Sequence, residues 1–208
     1  MPQYGCITMK VISILFCRVK QDTANPTIVT FAHDVSSFGY FQRGTVREMV
    51  TFFARTFLKR TPPGKRQSVE HEEYLCHCYM RVDGLGACFV ADKEYPARVA
   101  FTLLTKLLEE FNQKYNAQWN AALQDVFLPF PPLDKALADF QDPAKADKIM
   151  KIQKDLDETV EVMHKTIDSV LERGVKLDTL VAKSDNLSSQ SKLFYKQAKK
   201  HNSCCTIC

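Results

Sequence analysis

The sequence predicts an α+β domain, an antiparallel sheet of five strands flanked by helices, followed by a long C-terminal helix of coiled-coil type. Two observations carry this prediction. Up to about residue 130, short β-branched runs alternate with amphipathic helical patterns, and turn residues separate them. Beyond Asp142, Pro143 is the only proline and Gly174 the only glycine, and charged residues alternate with aliphatic ones, which is typical of a long helix.

The strands are predicted from runs rich in β-branched and apolar residues. Asp83-Gly84 is a hairpin signal between two of these runs, and asparagine with Pro26 marks a turn between two others. The predicted strands cover 6–19, 27–33, a stretch starting near Ser68, 73–82 and 86–91. Because hairpins predominate, the sheet is expected to be antiparallel.

Two helices are predicted within the first domain. The first covers 45–60 and ends at Pro62-Pro63, and the second runs from Pro96 to about Tyr115 with proline in its first turn. The apolar faces consist of Val46, Met49, Val50, Phe53 and Phe57 in the first helix, and of Val99, Leu103, Leu107 and Phe111 in the second. The order of elements is therefore β-β-α-β-β-(β)-α.

Composition excludes several classes of protein. The net charge of +4 is spread over both halves of the chain, so no nucleic-acid partner is expected. No apolar run approaches the roughly 18 residues of a membrane span. Of the eight cysteines, three lie in the last five residues and the other five lie in apolar, strand-like runs. This distribution indicates a reduced protein that faces the cytosol, with its internal cysteines in the core.

A coiled-coil seam runs through the C-terminal segment at alternating steps of three and four residues. Its apolar members are Ile149, Ile152, Leu156, Met163, Val170, Leu177, Leu180, Leu187, Phe194 and Ala198, and its other members are Thr159, Thr166, Arg173, Ser184 and Ser191. Arg173 occupies the middle of the seam, where an enclosed guanidinium is destabilising unless partner oxygens accept its hydrogen bonds. Such a residue sets register and the choice of partner.

The stretch LERGxKLxxLVxKSxxL at 171–187 resembles the core of arginine-type SNAREs, the synaptobrevin-like group. The upstream domain is similar to the profilin-like longin domain of that group, partly on YFQR (40–43) and DKEYPARVAFTLL (92–104). The resemblance implies that three glutamines from three partner helices meet Arg173. The implied organisation is a longin regulatory domain at 1–128, a linker at 129–141, a SNARE coiled-coil motif at 142–202 and a lipidation signal at 203–208.

The end of the chain carries a lipidation pattern. Cys205-Thr206-Ile207-Cys208 fits the C-a-a-X prenylation motif, with farnesyl and geranylgeranyl both open. Cys204 supplies a second thiol for palmitate or a second prenyl group, and two lipid signals anchor a protein stably where one does not. After Asp185 the charged residues are lysines, which favours an anionic membrane surface. No cofactor beyond these covalent prenyl and acyl lipids is expected.

The double-cysteine ending resembles that of longin SNAREs without a transmembrane helix. This implies a non-enzymatic R-SNARE in vesicle-mediated transport, in the cytoplasm and, as a lipid-anchored peripheral protein, on the cytosolic face of Golgi, endosomal or vacuolar membranes. The implied partners are Q-SNARE proteins, the membrane lipid surface, a prenyltransferase and the SNARE disassembly machinery. The longin domain is expected to fold back on the SNARE segment and shield the lipid, with Phe38 and Phe41 lining that groove.

Two other classes of function stay open at this point: a longin-domain adaptor or tether at membranes, and an acyl-transfer enzyme that uses an internal cysteine. Cys76 and Cys78 face one side of a strand while His77 points to the other, so these residues do not converge on a metal or a substrate. Gly64-Lys65 lacks the upstream glycine of a phosphate loop. No catalytic residue, metal site or small-molecule substrate is expected.

Overall fold

The computed structural model describes residues 10–20, 25–142, 161–171 and 174–203. A six-stranded sheet lies at the centre. Its strands are β1 (Val11–Arg18), β2 (Thr27–His33), β3 (Arg66–His71), β4 (Tyr74–Met80), β5 (Leu85–Asp92) and β6 (Val162–Thr166), in the order β2-β1-β5-β4-β3-β6. The first five strands pair antiparallel, as the sequence predicts, and β6 pairs parallel to β3. The predicted α+β class with a longin-like sheet is therefore confirmed.

Six α-helices accompany the sheet in the described part of the chain. They are α1 (Arg43–Leu58), α2 (Ala97–Ala121), α3 (Pro131–Asp139), α4 (Ile167–Val170), α5 (Leu177–Lys183) and α6 (Ser189–Ser203), with a 3₁₀ turn at Tyr40–Gln42. The two helices predicted for the first domain are present as α1 and α2. Helix α2 continues six residues beyond the predicted end. Its backbone kinks at Tyr115 (φ −124°, ψ 17°), where the sequence predicts the end, and helical geometry then resumes.

The sheet is buried on both faces. Helices α2 and α3 cover one face, where Phe16, Phe89 and Phe111 are fully buried, and α1 covers the other. Strand β1 has no exposed residue, and this explains why its sequence is a continuous apolar run rather than an alternating one.

The residues assigned to a linker, 129–141, belong to the folded domain. Phe130 is buried, and α3 begins directly after it with Pro131 in its first turn, a position where proline is favoured. The Gln141 side chain accepts a hydrogen bond from the backbone N–H of Val11 and donates one to the carbonyl of Val11. The prolines therefore start a helix in this stretch instead of marking a connector, and the linker assignment is corrected.

The continuous helix predicted over 142–202 is absent from the described part of that segment. The described residues of 161–203, which we call the fold-back segment, form β6 and three separate helices, α4, α5 and α6. The backbone leaves helical geometry at Leu171 (ψ 150°), at Lys176 (ψ 143°) and at Ser184 (ψ 123°), and Gly174 has a φ of 88°. A single helix would leave its apolar seam in water, whereas the broken path allows those residues to pack on the domain.

The β4–β5 hairpin depends on glycine at position 84. Gly84 has a φ of 90°, and a Cβ at this position would lie 2.7 Å from the Val19 carbonyl oxygen. We expect Gly84→Ala to lower the free energy of unfolding by about 1–3 kcal/mol, because both the backbone strain and this backbone contact oppose a side chain. Urea unfolding followed by the fluorescence of Trp119, the single tryptophan and a buried one, measures the loss.

Gly44→Ala is the matched control. A Cβ at Gly44 meets nothing within 4 Å, and the residue lies inside α1, where alanine is favoured over glycine by up to about 1 kcal/mol. If both variants changed stability equally, the turn geometry would not be the cause.

Candidate functional site

The described seam residues of the fold-back segment lie against the domain instead of facing solvent. Val170, Leu177 and Leu187 are buried and belong to the same core cluster as α1 and the adjacent face of the sheet. The other described apolar members, Met163, Leu180, Phe194 and Ala198, are half-buried. Among the described members of the seam, the domain therefore covers Val170, Leu177 and Leu187 fully and the apolar remainder in part.

An apolar groove of about 330 Å³ lies between α1, the sheet and α6. Its apolar wall consists of Ile12, Phe38, Val46, Met49, Val50, Phe53, Cys76, Val90, Phe194, Tyr195 and Ala198, and His71, Glu72, Glu73 and Tyr74 complete the lining. Glu72 and Glu73 form the turn between β3 and β4, and His71 and Tyr74 flank it. The groove is thus apolar inside, polar along one edge, and partly closed by the last helix of the chain.

Phe38 and Phe41 take different positions relative to this groove. Phe38 lines it, half-buried, whereas Phe41 is 86% exposed and contacts only Tyr40 edge-on at 5.5 Å between ring centroids among the ring contacts of the described chain. Arg43 donates hydrogen bonds to the carbonyls of Phe38 and Ser36, which fixes the loop and directs Phe41 outward from the 3₁₀ turn. The expectation that Phe41 lines the groove is corrected.

A polar contact holds α6 against α1. The Glu48 carboxylate, on α1, accepts a hydrogen bond from the Ser188 backbone N–H (2.9 Å) and another from the Ser191 hydroxyl (2.7 Å). Ser188 Oγ also accepts from the Ser191 backbone N–H, which ties together the first turn of the helix. Burial opposes ionisation of Glu48, but the bonds from Ser188 and Ser191 outweigh it and hold the pKa of Glu48 below its usual value.

Sequence reasoning missed Glu48 and Phe52 as contacts of the fold-back segment. Phe52 lies next to the predicted apolar stripe of α1, is 9% exposed, and lines clefts that Leu180 and Asn186 complete. The width of the apolar face of α1 is the signal that could have revealed the role of Phe52. Phe52 and Phe53 are adjacent and therefore point in different directions, so a single stripe packed on the sheet cannot use both.

The internal cysteines that the structure describes (Cys17, Cys76, Cys78 and Cys88) and His77 behave as core residues. Cys76 and Cys78 point toward α1, and His77 points to the opposite face, where its ring packs on Phe101 and its Nδ1 lies 2.8 Å from Ser68 Oγ. Burial lowers the pKa of His77 to about 4 and raises that of Cys78, so the imidazole is neutral and the thiol protonated at pH 7. Within the described ranges, no cluster of three or more histidine, cysteine or acidic residues could hold a metal.

Several predicted site residues lie outside the described residues: Ile149, Ile152 and Leu156 of the seam, the central Arg173, and the lipidation cysteines Cys204 and Cys205. Among the helices that the structure describes, none has the length and apolarity needed to cross a bilayer. The site that the structure describes therefore consists of the contact between the fold-back segment and the domain, together with the groove beneath α6.

Two family models divide the chain between them. The longin model, described as a Regulated-SNARE-like domain, matches residues 35–140, and the synaptobrevin model matches residues 148–206. The first range begins just after β2 and extends through α3, and the second covers the fold-back segment with the central Arg173. The longin match includes α3, in agreement with the packing of that helix in the core.

Similar proteins come from plants and fungi. The VAMP-like protein YKT61 of Arabidopsis thaliana is 53% identical over 199 residues, which cover 96% of this chain and all of that protein. The synaptobrevin homolog ykt6 of Schizosaccharomyces pombe is 50% identical over 200 residues, with the same coverage of both chains. The synaptobrevin homolog YKT6 of Yarrowia lipolytica is 53% identical over 178 residues, or 85% of this chain and 89% of that protein. The chain therefore belongs to the longin-containing synaptobrevin family of non-enzymatic SNARE proteins.

Proposed function

We propose that the protein is an R-SNARE that brings vesicle and target membranes together by contributing one helix, with Arg173 at its centre, to a bundle with three glutamine-bearing helices of Q-SNAREs. The observation that carries this proposal is the seam itself: its described apolar members need cover, and the chain covers them with its own domain. A four-helix bundle provides the same cover from partners.

In the bundle, Arg173 would be enclosed by apolar layers on both sides. A lone buried guanidinium is strongly destabilising, but glutamine side-chain oxygens can accept its hydrogen bonds without adding further charge. Three glutamines in the same layer of the bundle provide carbonyl oxygens that accept hydrogen bonds from the N–H groups of one guanidinium. The arginine thus selects a partner set that carries glutamines and fixes one register along the seam.

The folded-back chain and the assembled bundle exclude each other. Val170, Leu177 and Leu187 are buried against the domain, and the bundle needs the same side chains in its core. Burying a Leu or Val side chain contributes about 1.5–3 kcal/mol, so each seam residue that leaves the domain must gain an equivalent contact in the bundle. The domain therefore restrains assembly until partners compete for the seam.

The membrane attachment that we propose is covalent lipid, with a prenyltransferase modifying Cys205 and palmitate or a second prenyl group on Cys204. The groove under α6 supports a second part of this proposal, in which the folded-back chain shields a lipid from water. Its wall is apolar apart from the edge at the β3–β4 turn, and Phe194 and Ala198 bring α6 directly to it. An isoprenoid chain fits the chemistry of this lining.

We further propose that the protein cycles between the cytoplasm and the cytosolic face of Golgi, endosomal or vacuolar membranes, as a lipid-anchored peripheral protein. Release after fusion requires the SNARE disassembly machinery, because seven heptads of buried seam do not separate spontaneously on a useful timescale. The adaptor or tether function is the competing hypothesis, and self-association of the helix in place of assembly with Q-SNAREs distinguishes it.

The assembly proposal is tested by mixing residues 142–200 with three candidate Q-SNARE helices. We expect a helical complex with a cooperative thermal transition, and we expect Arg173→Leu to abolish it or lower its Tm, because the glutamines then face no donor. Circular dichroism measures both the helicity and the Tm. Arg173→Gln is the second variant, and it should relax partner choice instead of preventing helix formation.

Lys176→Leu is the matched control, since it removes one cationic side chain close to Arg173 but off the seam. A complex whose stability and selectivity were unaffected by either Arg173 substitution would contradict the register role. A stable dimer of the 142–200 segment alone, with no gain in helicity from partners, would favour the adaptor function.

The lipid proposal predicts that membrane attachment depends on two cysteines. In cells, Cys205→Ser should move the protein into the soluble fraction, and Cys204→Ser should leave a weaker, reversible association, because one chain anchors only marginally. Ser203→Ala, which leaves both thiols in place, is the control. Fractionation with a prenyl-labelling readout decides: a Cys205→Ser variant that stayed on membranes would exclude the C-a-a-X cysteine as the anchor.

The contact of Glu48 with α6 predicts a selective opening. Glu48→Ala removes two hydrogen bonds to a charged acceptor, and we expect it to weaken docking of α6 by roughly 1 kcal/mol, visible at pH 7 as faster amide hydrogen exchange in 189–199. Glu109→Ala, on the exposed side of α2, is the control.

The stability that the Glu48 carboxylate contributes depends on pH with a definite sign. The pKa of Glu48 in the folded state lies below its ordinary value of 4.5, so the contribution of the carboxylate is complete above pH 4.5 and is lost as the pH falls through the folded-state value. The difference in urea stability between wild type and Glu48→Ala should therefore be constant near neutral pH and shrink in acid. A difference that grew in acid would contradict this assignment.

A further inference from the structure

A small polar cluster joins α5 to α6 within the fold-back segment. Asp178 Oδ1 accepts a hydrogen bond from the Tyr195 hydroxyl at 2.8 Å, and Asp178 Oδ2 accepts one from Lys199 Nζ at 2.6 Å. Lys192 Nζ donates to the Ala182 carbonyl oxygen at 3.0 Å, across the same turn. We call Asp178, Tyr195 and Lys199 the clasp.

The clasp cannot exist in a continuous helix. Asp178 and Tyr195 are 17 residues apart, and Asp178 and Lys199 are 21 residues apart. At 1.5 Å per residue, these separations become about 25 Å and about 31 Å along a straight helix, which is far more than two side chains can span. The contacts require the turn between α5 and α6, so helix formation through 177–199 breaks all of them.

None of the three clasp residues is a member of the seam. Each directly follows a seam residue: Asp178 follows Leu177, Tyr195 follows Phe194, and Lys199 follows Ala198. In a heptad numbering that starts at Leu177, Asp178 and Lys199 occupy the outer b position and Tyr195 the flanking e position. The bundle therefore has no need for the Asp178 carboxylate, the Lys199 ammonium or the Tyr195 hydroxyl.

The clasp is connected to the groove through the ring of Tyr195. That residue is 8% exposed and its side chain lines the groove with Phe38 and Phe53. Burial raises the pKa of Tyr195, and the bonds from Lys199 and Tyr195 lower that of Asp178, so at neutral pH the hydroxyl is a donor and the carboxylate an acceptor. The hydrogen bond thus holds the ring over the apolar cavity while the turn is closed.

We propose that Asp178, Tyr195 and Lys199 form a lock specific to the folded-back state, which slows assembly of the SNARE helix without contributing to the assembled bundle. The proposal rests on the proposed R-SNARE function. In this arrangement, seam residues contribute to the stability of both states, whereas the clasp, like the Glu48 contact and the pairing of β6 with β3, stabilises only the folded-back state. The control of opening is therefore encoded on the outer face of the SNARE helix, separately from the recognition of partners.

The test uses the full chain, unlipidated, with Asp178→Ala, Tyr195→Phe and the double variant. Tyr195→Phe removes only the hydroxyl and keeps the ring in the groove. Asp185→Ala is the matched control, an exposed aspartate that follows seam residue Ser184 as Asp178 follows Leu177. Two readouts are compared: amide hydrogen exchange over 177–199 without partners, and the rate of assembly with three Q-SNARE helices together with the Tm of the complex.

We expect Asp178→Ala and Tyr195→Phe to speed both exchange and assembly by about two- to tenfold, the range for loss of one net hydrogen bond, because the second bond of Asp178, to the exposed Lys199, adds little. The Tm of the assembled complex should equal that of wild type. Since Asp178 is the shared acceptor, adding Tyr195→Phe to Asp178→Ala should have little further effect. The fluorescence of Trp119 should be unchanged in every variant, since the domain stays folded.

Three results would overturn the proposal: exchange and assembly rates equal to those of wild type, equal effects from Asp185→Ala, or a complex whose Tm falls in the clasp variants. Failure of the R-SNARE function is a separate result. If no Q-SNARE set assembled with any variant but exchange over 177–199 still rose in the clasp variants alone, the lock would be supported and the fusion function would be wrong.

Discussion

The architecture depends on one constraint: the apolar seam of the C-terminal segment must be covered, and helix α1 is the surface that covers it within a single chain. One side of α1 packs on the sheet through residues such as Val46 and Val50, and the other side, with Phe52 and Glu48, meets the fold-back segment. A surface helix normally buries one stripe. The second buried stripe is what allows the longin domain to act on the SNARE segment.

The sheet edge adds a second restraint of a different kind. Strand β3 would be an open edge without β6, which pairs with it in parallel from Arg66 to Glu70. An exposed edge strand invites pairing with other chains. Release of the fold-back segment therefore uncovers both an apolar seam and a row of backbone hydrogen-bonding groups. Both surfaces favour rapid covering, by partner helices, by a lipid surface or by renewed closure of the segment. This physical cost explains why closure uses three devices, namely strand pairing, apolar packing and polar contacts.

These devices act on different residues of the same segment. Apolar packing uses the seam, which the bundle also needs, so it links closure directly to assembly. The polar contacts use Glu48 on α1 and, inside the fold-back segment, Asp178 with Tyr195 and Lys199. Because Glu48, Asp178 and Lys199 are charged and partly exposed, their contacts contribute modestly and can be changed without disturbing the core. A protein that must open reversibly is served better by several modest contacts than by one strong one.

The sequence by itself determined the type of most elements and predicted a lipidation signal in the tail. Runs of β-branched and apolar residues identified the strands, and a period of 3.6 residues identified the helices α1 and α2, because both patterns report which parts of a local element are apolar. The seam with Arg173 and the terminal cysteines, being local patterns too, were readable in the same way. The sequence predicts both Phe38 and Phe41 in the groove, but only Phe38 lies there. The outward direction of Phe41 depends on how Arg43 fixes the loop, which no local pattern reports.

Only the tertiary structure decided how the C-terminal segment is folded. Residues 162–166 carry the seam pattern of a helix and yet form a strand, because pairing with β3 satisfies their backbone groups as a helix would, while the fold-back path covers the apolar seam that a solitary helix leaves in water. The Glu48 contact with Ser191 joins residues 143 positions apart, and the clasp joins positions that no helical pattern brings together. A local pattern records what a segment can form, whereas the surface available to cover its apolar side chains decides which of those forms it takes.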